Sequence, residues 1–383
     1  MSPRTKPLAP TTYLFRNASK TLPLVAVIVL AVMLVLGIVS MINSIPLSIR
    51  TIYRYSQFAL GVTPRGDPSL TPSIKKEIEE LAPVPIDRIF VCRASGSQVR
   101  SIVGKWPFVV LALSPEDMEY YNRRMGVQSI QGRMPQDGQP EALVSEPVAR
   151  NLGLKLGSTL LGPETSESYS PKSVKVVGIA DTDQWMMVAP IEYHRENHFP
   201  PIDVLMVFAR NLSDQRKLDA WALKRFKGQR AQLFAYSELE ENTDEMFSIL
   251  YKILNVVIGT LVLVITVMMA MLINIYQSQR IQEFGLLQAL GYTKRRLLRR
   301  VIKETLWVVL GGWLLGLAVA FGLLNVTKVV LMDPSAFAIA TFDPLALLYT
   351  VPIPIAIFVV ATMTVAGRFR RFDPVGVVER RLV

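Results

Sequence analysis

Cysteine is almost absent from this 383-residue chain; Cys92 is the single one. No intramolecular disulfide can form, so any folded segment must rest on an ordinary apolar core. Histidine is nearly as scarce, with only His194 and His198. Their spacing of four suits a metal on a helix. However, no Glu follows His194 as a zinc-protease motif needs, and Pro200 and Pro201 come directly after. The pair reads as part of a solvated loop. Other catalytic signatures are missing too. Seven residues separate Gly96 from Gly104-Lys105, and Trp106 stands where a phosphate loop needs Ser or Thr. Ser145, in LVSEP, lacks the flanking glycines of a nucleophile elbow. Catalytic, cofactor-binding and metal-ligating residues are therefore none in this reading, and the chain is not expected to be an enzyme.

What the chain has in quantity is apolar sequence, 50% of all residues. It gathers in four runs, Leu22–Ile42, Phe247–Tyr276, Leu306–Met332 and Ala346–Gly367. Each approaches or exceeds the ~20 residues that cross ~30 Å of hydrocarbon as a helix. Backbone in lipid must satisfy its own hydrogen bonds, so helices are the expected form. The first run has the basic leader of a signal peptide, but its apolar part outruns the usual ~7–15 residues and no small-x-small site follows. An uncleaved signal-anchor span is favoured over a cleaved one. Acids are almost missing inside the runs, so no ion or proton path through a single subunit is visible.

Charge sets the expected topology. Residues 1–21 carry four Lys or Arg and no acid; 277–303 carry seven against Glu283; 368–383 carry five against Asp373 and Glu379. These three segments hold more positive charge than the whole chain's net +11. Residues 333–345 carry two acids and no base. The positive-inside rule then puts both termini and 277–303 in the cytoplasm, with 43–246 and 333–345 outside. The expected location is the cell (inner or plasma) membrane, multi-pass. The basic balance is thus a topology signal and a means of holding anionic lipid, and it excludes a nucleic-acid reading.

Between the first two runs, strand and helix signals alternate. Strands are expected at DRIFVCRA, FVVLAL, EALVS, GSTLLG, KSVKVVGIA and DVLMVFAR, rich in β-branched and aromatic residues. Helices are expected at PSIKKEIEELA, after Ser114 with Asp117 three residues on, before Gly153, and from a Ser213 cap to Gly228. Tyr53, Tyr55 and Phe58 read as an outer interface belt. Ser237 with Glu240 reads as a capping box, and neither Pro nor Gly follows until Gly259. One helix from there to about Gln279 is expected, part of it a stalk. In the third run Gly312 and Gly316 form a small-xxx-small pair. Pro352 and Pro354 predict a kink in the fourth.

The fold class is therefore a membrane protein of four transmembrane helices, with an α+β (α/β) extracytoplasmic domain between spans one and two. The expected division is a cytoplasmic segment 1–21, span one at 22–42, the external domain at 43–236, and a stalk with span two at 237–279. A cytoplasmic loop at 280–303, span three at 304–332, an external loop at 333–345, span four at 346–367 and a tail at 368–383 complete it.

The loop RIQEFGLLQALGYTKRRLLRR carries the most information. On a helical wheel Ile281, Phe284, Leu287 and Leu290–Gly291 fall near one stripe. Gly285 and Gly291 would each cost up to ~1 kcal/mol in a helix that only anchored to lipid. They suit a short helix of about Arg280–Leu290 pressed closely against a partner, then a turn into a second helix from Thr293. The loop resembles that of ABC transporter permeases of the MacB/FtsX-like family (type VII exporters and mechanotransmitters). Arg280, Glu283, Gly285, Ala289, Gly291 and Glu304 match its pattern, with Gln288 where Arg is common. Asp373, Pro374 and Val375 resemble the family's closing segment. Gly132–Arg133, Glu141 to Ser145, Ala149, Leu152–Gly153, Gly157 and Val177–Gly178–Ile179 resemble its MacB-like periplasmic core domain.

The resemblance implies a non-catalytic permease working with a separate ABC ATPase subunit, which would hold ATP and Mg. It implies a homodimer of permeases, and in some members a periplasmic adaptor protein. The residues it assigns to ATPase coupling are Arg280, Glu283, Phe284, Gly285, Leu286, Ala289, Leu290 and Gly291. Export or extrusion of a substrate is favoured because the external domain is large. Mechanotransmission to an external partner, as in cell-division signalling, and lipoprotein release are the competing roles. A membrane-anchored scaffold without transport is the alternative from another class.

Overall fold

A computed structural model describes residues 18–165, 170 and 172–371. The basic leader Arg4, Lys6 and Arg16 and the closing Asp373, Pro374, Val375 and Glu379 lie outside them. The chain divides into two compact units. One is helical, running to Ile42, over Leu250–Thr327 and from Ala340 on; the other is Asn43–Ile249 with Lys328–Ile339.

The helical unit draws on α1 (Ala18–Ile52), α7 (Tyr236–Gln279), α8 (Ile281–Ala289), α9 (Lys294–Thr327), α10 (Pro344–Thr350) and α11 (Pro352–Arg371). Among the described residues, four stretches are long and apolar enough to cross a membrane: Thr21–Ile52, Tyr236–Gln279, Lys294–Ser335 and Pro344–Arg370. Many of their large apolar side chains point away from the protein, as Val256 (70% exposed) and Leu263 (64%) do. That is the distribution lipid requires. Where helices meet, side chains shrink. Gly312 and Gly316 of α9 are buried against Ile28 and Val32 of α1, and a Cβ on Gly316 would lie 2.9 Å from the Val32 Cβ. Trp313 Nε1 donates to Thr350 Oγ1 at 3.1 Å. Asp343 caps α10 by accepting from the Leu345 and Ala346 amides. The helix breaks at Val351, just before Pro352, because the ring removes an amide and crowds the preceding turn.

The second unit is an α/β sheet domain. Its strands are β1 (Leu60–Thr63), β2 (Ile86–Ser101), β3 (Gly104–Leu113), β4 (Ile130–Gly132), β5 (Glu141–Ser145), β6 (Thr159–Leu161), β7 (Val174–Ala180), β8 (Met187–Pro190), β9 (Asp203–Ala209) and β10 (Gln232–Phe234). They form one mixed sheet in the order β10-β1-β9-β2-β3-β8-β5-β7-β4, with β6 on β7. β3 with β8 and β5 with β7 are parallel, and the other pairings are antiparallel. Helices α2 (Thr71–Leu81), α3 (Pro115–Arg124), α4 (Glu146–Leu152), α5 (Ile191–Glu196) and α6 (Leu212–Arg225) complete it. The core gathers around Phe108 and Trp185, around Tyr121 and Phe208, and around Ile78, Leu218 and Phe226.

Four local expectations change. Tyr53 and Tyr55 do not form an interface belt: they pack on Phe108, with the Tyr55 ring 5.7 Å away edge-on. Asn211, not Ser213, caps α6, because its side chain reaches the Asp214 amide. α7 begins at Tyr236, so Ser237 sits inside its first turn. His194 is fully buried in α5 with its ring tilted against that of Phe199, centres 4.1 Å apart, while His198 stays on the exposed loop. Burial pushes the His194 imidazole down to about 4, and its Nδ1 meets the Pro190 carbonyl at 3.1 Å.

Candidate functional site

Between α7 and α9 the chain makes one short helix and two turns. Arg280 ends the long α7 and starts α8. At the other end the Gly291 amide bonds the Gln288 carbonyl at 2.9 Å and the Tyr292 amide the Leu287 carbonyl at 3.1 Å. This double closure needs a left-handed residue, and Gly291 has φ +92°. Thr293 then opens α9: its carbonyl accepts from the Leu297 amide at 3.2 Å. The basic helix and span three are thus one continuous element, Lys294–Thr327.

Side chains on α8 split between two faces. Phe284 and Gly285 are buried in the helical unit, Phe284 with its ring 5.2 Å from that of Phe369. Gln282, Leu286, Ala289 and Leu290 are exposed, Leu286 at 68% and Leu290 at 69%. The expected single stripe is therefore corrected. Steps of three fall short of a 3.6-residue turn, so a run from 281 to 290 winds about half way round the helix. The buried face centres on Phe284 and Gly285. The open face carries Leu286 and Leu290 one turn apart.

An ion cluster sets the helix in place. Arg280, with a side chain only 2% exposed, donates to Glu304 Oε2 at 2.7 Å and to Glu283 Oε2 at 3.0 Å. Arg300 donates to the other Glu304 oxygen at 3.0 Å. The guanidinium of Arg280 also stands over the Tyr276 and Phe284 rings, at 5.4 and 5.0 Å from their centres. Burial opposes its charge, but the carboxylates of Glu283 and Glu304 outweigh that and push its pKa up. A planar fork with five donors can serve two carboxylates and two rings at once, which a Lys cannot. Arg300, Tyr276 and Phe369 were not singled out by the loop pattern. Arg300 lies four residues before Glu304 on one helix, a spacing legible in the sequence.

The glycines matched in the α/β unit prove to be architectural. Gly132 and Gly178 oppose each other where β4 meets β7, and the Arg133 amide bonds the Val177 carbonyl at 3.1 Å. A Cβ on Gly178 would come 2.4 Å from the Arg133 carbonyl oxygen. Arg133 forks onto Glu141, with Nη1 2.6 Å from Oε2, and holds that carboxyl below its ordinary range. Gly153 ends α4 in the left-handed region.

Two family models match this chain. The MacB-like periplasmic core domain covers residues 21–220, and the FtsX-like permease C-terminal domain covers 255–374. The chain belongs to the MacB/FtsX-like family of ABC transporter permeases. No curated protein matches it. Among solved structures, this permease is similar to the periplasmic region of MacB from Actinobacillus actinomycetemcomitans. Identity is 10%, coverage 51% of this chain and 95% of that one, and the TM-score 0.29. It is also similar to the extracellular domain of the noncanonic ABC-type transporter YknZ from Gram-positive bacteria, at 12% identity, 46% and 99% coverage and a TM-score of 0.27. A domain of a putative permease protein from Porphyromonas gingivalis matches at 14% identity, 47% and 89% coverage and a TM-score of 0.24. The family's members are in general non-catalytic membrane subunits that work with an ABC ATPase.

Proposed function

We propose that this permease couples ATP hydrolysis in a separate ABC ATPase subunit to its α/β domain, for export or extrusion of a substrate. The observation that carries the reading is the open apolar face of α8. Leu286 and Leu290 stand exposed on a short helix whose other face is fixed by Phe284 and by the Arg280–Glu304 pair. An exposed leucine pair on a rigid mount is the form a helix-in-groove contact takes. The ATPase would seat this face, and closure of two ATPases on ATP and Mg would move two permeases of a homodimer. The basic residues from Lys294 to Lys303 support a cytoplasmic position for this end under the positive-inside rule, with the α/β unit outside. The spans carry few polar groups, so the substrate would meet the α/β domain or the outer leaflet, with an adaptor protein where an outer membrane exists.

The test uses the full chain co-expressed with candidate ABC ATPase subunits from the same genome. Leu286→Asp and Leu290→Asp should each cut co-purification of the ATPase at least tenfold while the permease still reaches the membrane. An ATPase retained fully by both variants would sink the docking role of this face. A wild-type chain that binds no ATPase at all would favour a membrane-anchored scaffold.

A further inference from the structure

The connection between spans three and four, residues 328–339, belongs to the α/β unit rather than to the helical one. It is not a plain turn. A π-helical stretch, Lys328–Met332, leads into a 3-10 turn, Asp333–Ser335, and then Ala336 at φ +56°. π-helical turns are rare and are often kept at working sites. A left-handed Ala costs energy that a surface loop could avoid with Gly.

What holds this segment comes from elsewhere in the α/β unit. Asn151 of α4, 2% exposed, donates through Nδ2 to the Ser335 carbonyl at 2.8 Å. The same amide brackets the backbone of Arg100, accepting from its N–H at 2.8 Å and donating to its carbonyl at 2.9 Å. Arg100 lies beyond the part of β2 that β9 covers, so Asn151 stands in for the missing strand. Both donors of the amide are thereby used. Ser48 of α1, also 2% exposed, donates to the Ala338 carbonyl at 3.1 Å. Arg150 reaches the Asp333 carbonyl at 3.3 Å. The Ala336 methyl packs on the core around Phe108 and Trp185. Three carbonyls of the connection are thus bound by side chains more than a hundred residues away in sequence. Loops between elements usually run free on the surface.

We propose that Asn151 and Ser48 are positioning residues that pin the connection into the α/β unit. The unit is then driven by α9 and α10 as well as by the two long helices α1 and α7. This rests on the coupling proposed above for its driving force, but not for the pin itself.

The test is hydrogen exchange on the full chain with its co-purified ATPase in lipid nanodiscs, without nucleotide and with a non-hydrolysable ATP analogue. The variants are Asn151→Asp, which is isosteric but loses both donors, and Ser48→Ala, which leaves the Arg100 clamp intact. Without nucleotide, each should speed exchange over residues 333–339 at least tenfold, with α2 and α6 unchanged. With the analogue, wild type should show altered protection in the α/β unit, and the variants less than half of that change. Unchanged exchange at 333–339 in Ser48→Ala and Asn151→Asp would overturn the pin. Faster exchange there with a full nucleotide response would overturn the driving role. If Asn151→Asp loosens the whole unit, Ser48→Ala alone decides. A wild type without any nucleotide response sinks the coupling proposal, while the exchange without nucleotide still judges the pin.

Discussion

Glu304 is the residue on which two arginines converge, so its removal should cost more than either partner's. Glu304→Gln leaves Arg280 buried with Glu283 alone, and Glu283 is one-third exposed. Breaking a buried pair from one side destabilises by about 3 kcal/mol. The loss should fall on α8, read as faster amide exchange over Ile281–Leu290 while α9 above Thr305 keeps its protection. Arg280→Lys should behave like a loss variant, because one ammonium cannot span Glu283, Glu304 and two rings. Normal protection of α8 in both variants would refute the mount. A second prediction concerns pH. Burial holds His194 at about 4 against 6.5 in the unfolded chain. Its contribution to stability is full above pH 6.5 and is lost as pH falls towards 4, by roughly 3 kcal/mol at 1.36 per unit. Asp219 works the other way: burial pushes its carboxyl up to about 6, despite the Gln215 hydrogen bond. Its protonation favours the folded state as pH falls through that range. The two effects overlap, so the informative quantity is a difference. His194→Asn should flatten the fall in thermal stability between pH 7 and 4.5 relative to wild type; equal slopes would refute a buried neutral imidazole.

At the scale of elements, most of what the chain builds is written in local signals. The Ser114 cap, the Gly153 stop and the Gly-free run into α7 all become element ends or continuous helix. These rest on contacts within a few residues, which a sequence displays directly. Apart from the cap positions of α6 and α7, the misses are tertiary. Tyr53 and Tyr55 are amphipathic, and only the position of Phe108 across the sheet tells core from interface. His194 looked solvated beside two prolines because the Phe199 ring that covers it comes from the loop's return. On α8 the pattern marked the right residues but not their sides: Phe284 and Gly285 face inward, Leu286 and Leu290 outward. The small-xxx-small pair shows the same limit, since sequence alone cannot say which glycines meet a neighbour. Here a Cβ on Gly316 would have Val32 and the Val29 backbone within 3.2 Å, whereas Gly311 and Gly322 face open space. Gly316→Leu should therefore cost about 1–3 kcal/mol by overpacking. Gly311→Leu, on a face open to lipid, should be neutral or better because Leu is the stronger helix former. Thermal unfolding of the two variants in nanodiscs separates them, and equal melting would deny that α1 and α9 meet at Gly316.

For the whole molecule, scarcity of cysteine turns into an advantage. Cys92 is fully buried, and burial pushes its thiol far up, so it should stay unlabelled in intact cells. Single cysteines placed elsewhere then report topology without a background. Val103 (55% exposed) sits in the β2–β3 turn of the α/β unit, and Leu290 (69%) ends α8. The charge asymmetry predicts opposite sides of the membrane for them. The basic residues Lys294, Arg295 and Arg296 begin four residues after Leu290, while the charged residues of 333–345 are acids alone. A membrane-impermeant maleimide should therefore label Val103→Cys in intact cells and leave Leu290→Cys untouched until the membrane is opened. Protection of Leu290→Cys in opened membranes, lifted by removing the ATPase, would further place the partner on the outward face of α8. Labelling of Leu290→Cys in intact cells would reverse the orientation. It would also remove the ATPase contact, since ATP-driven closure is available only on the cytoplasmic side.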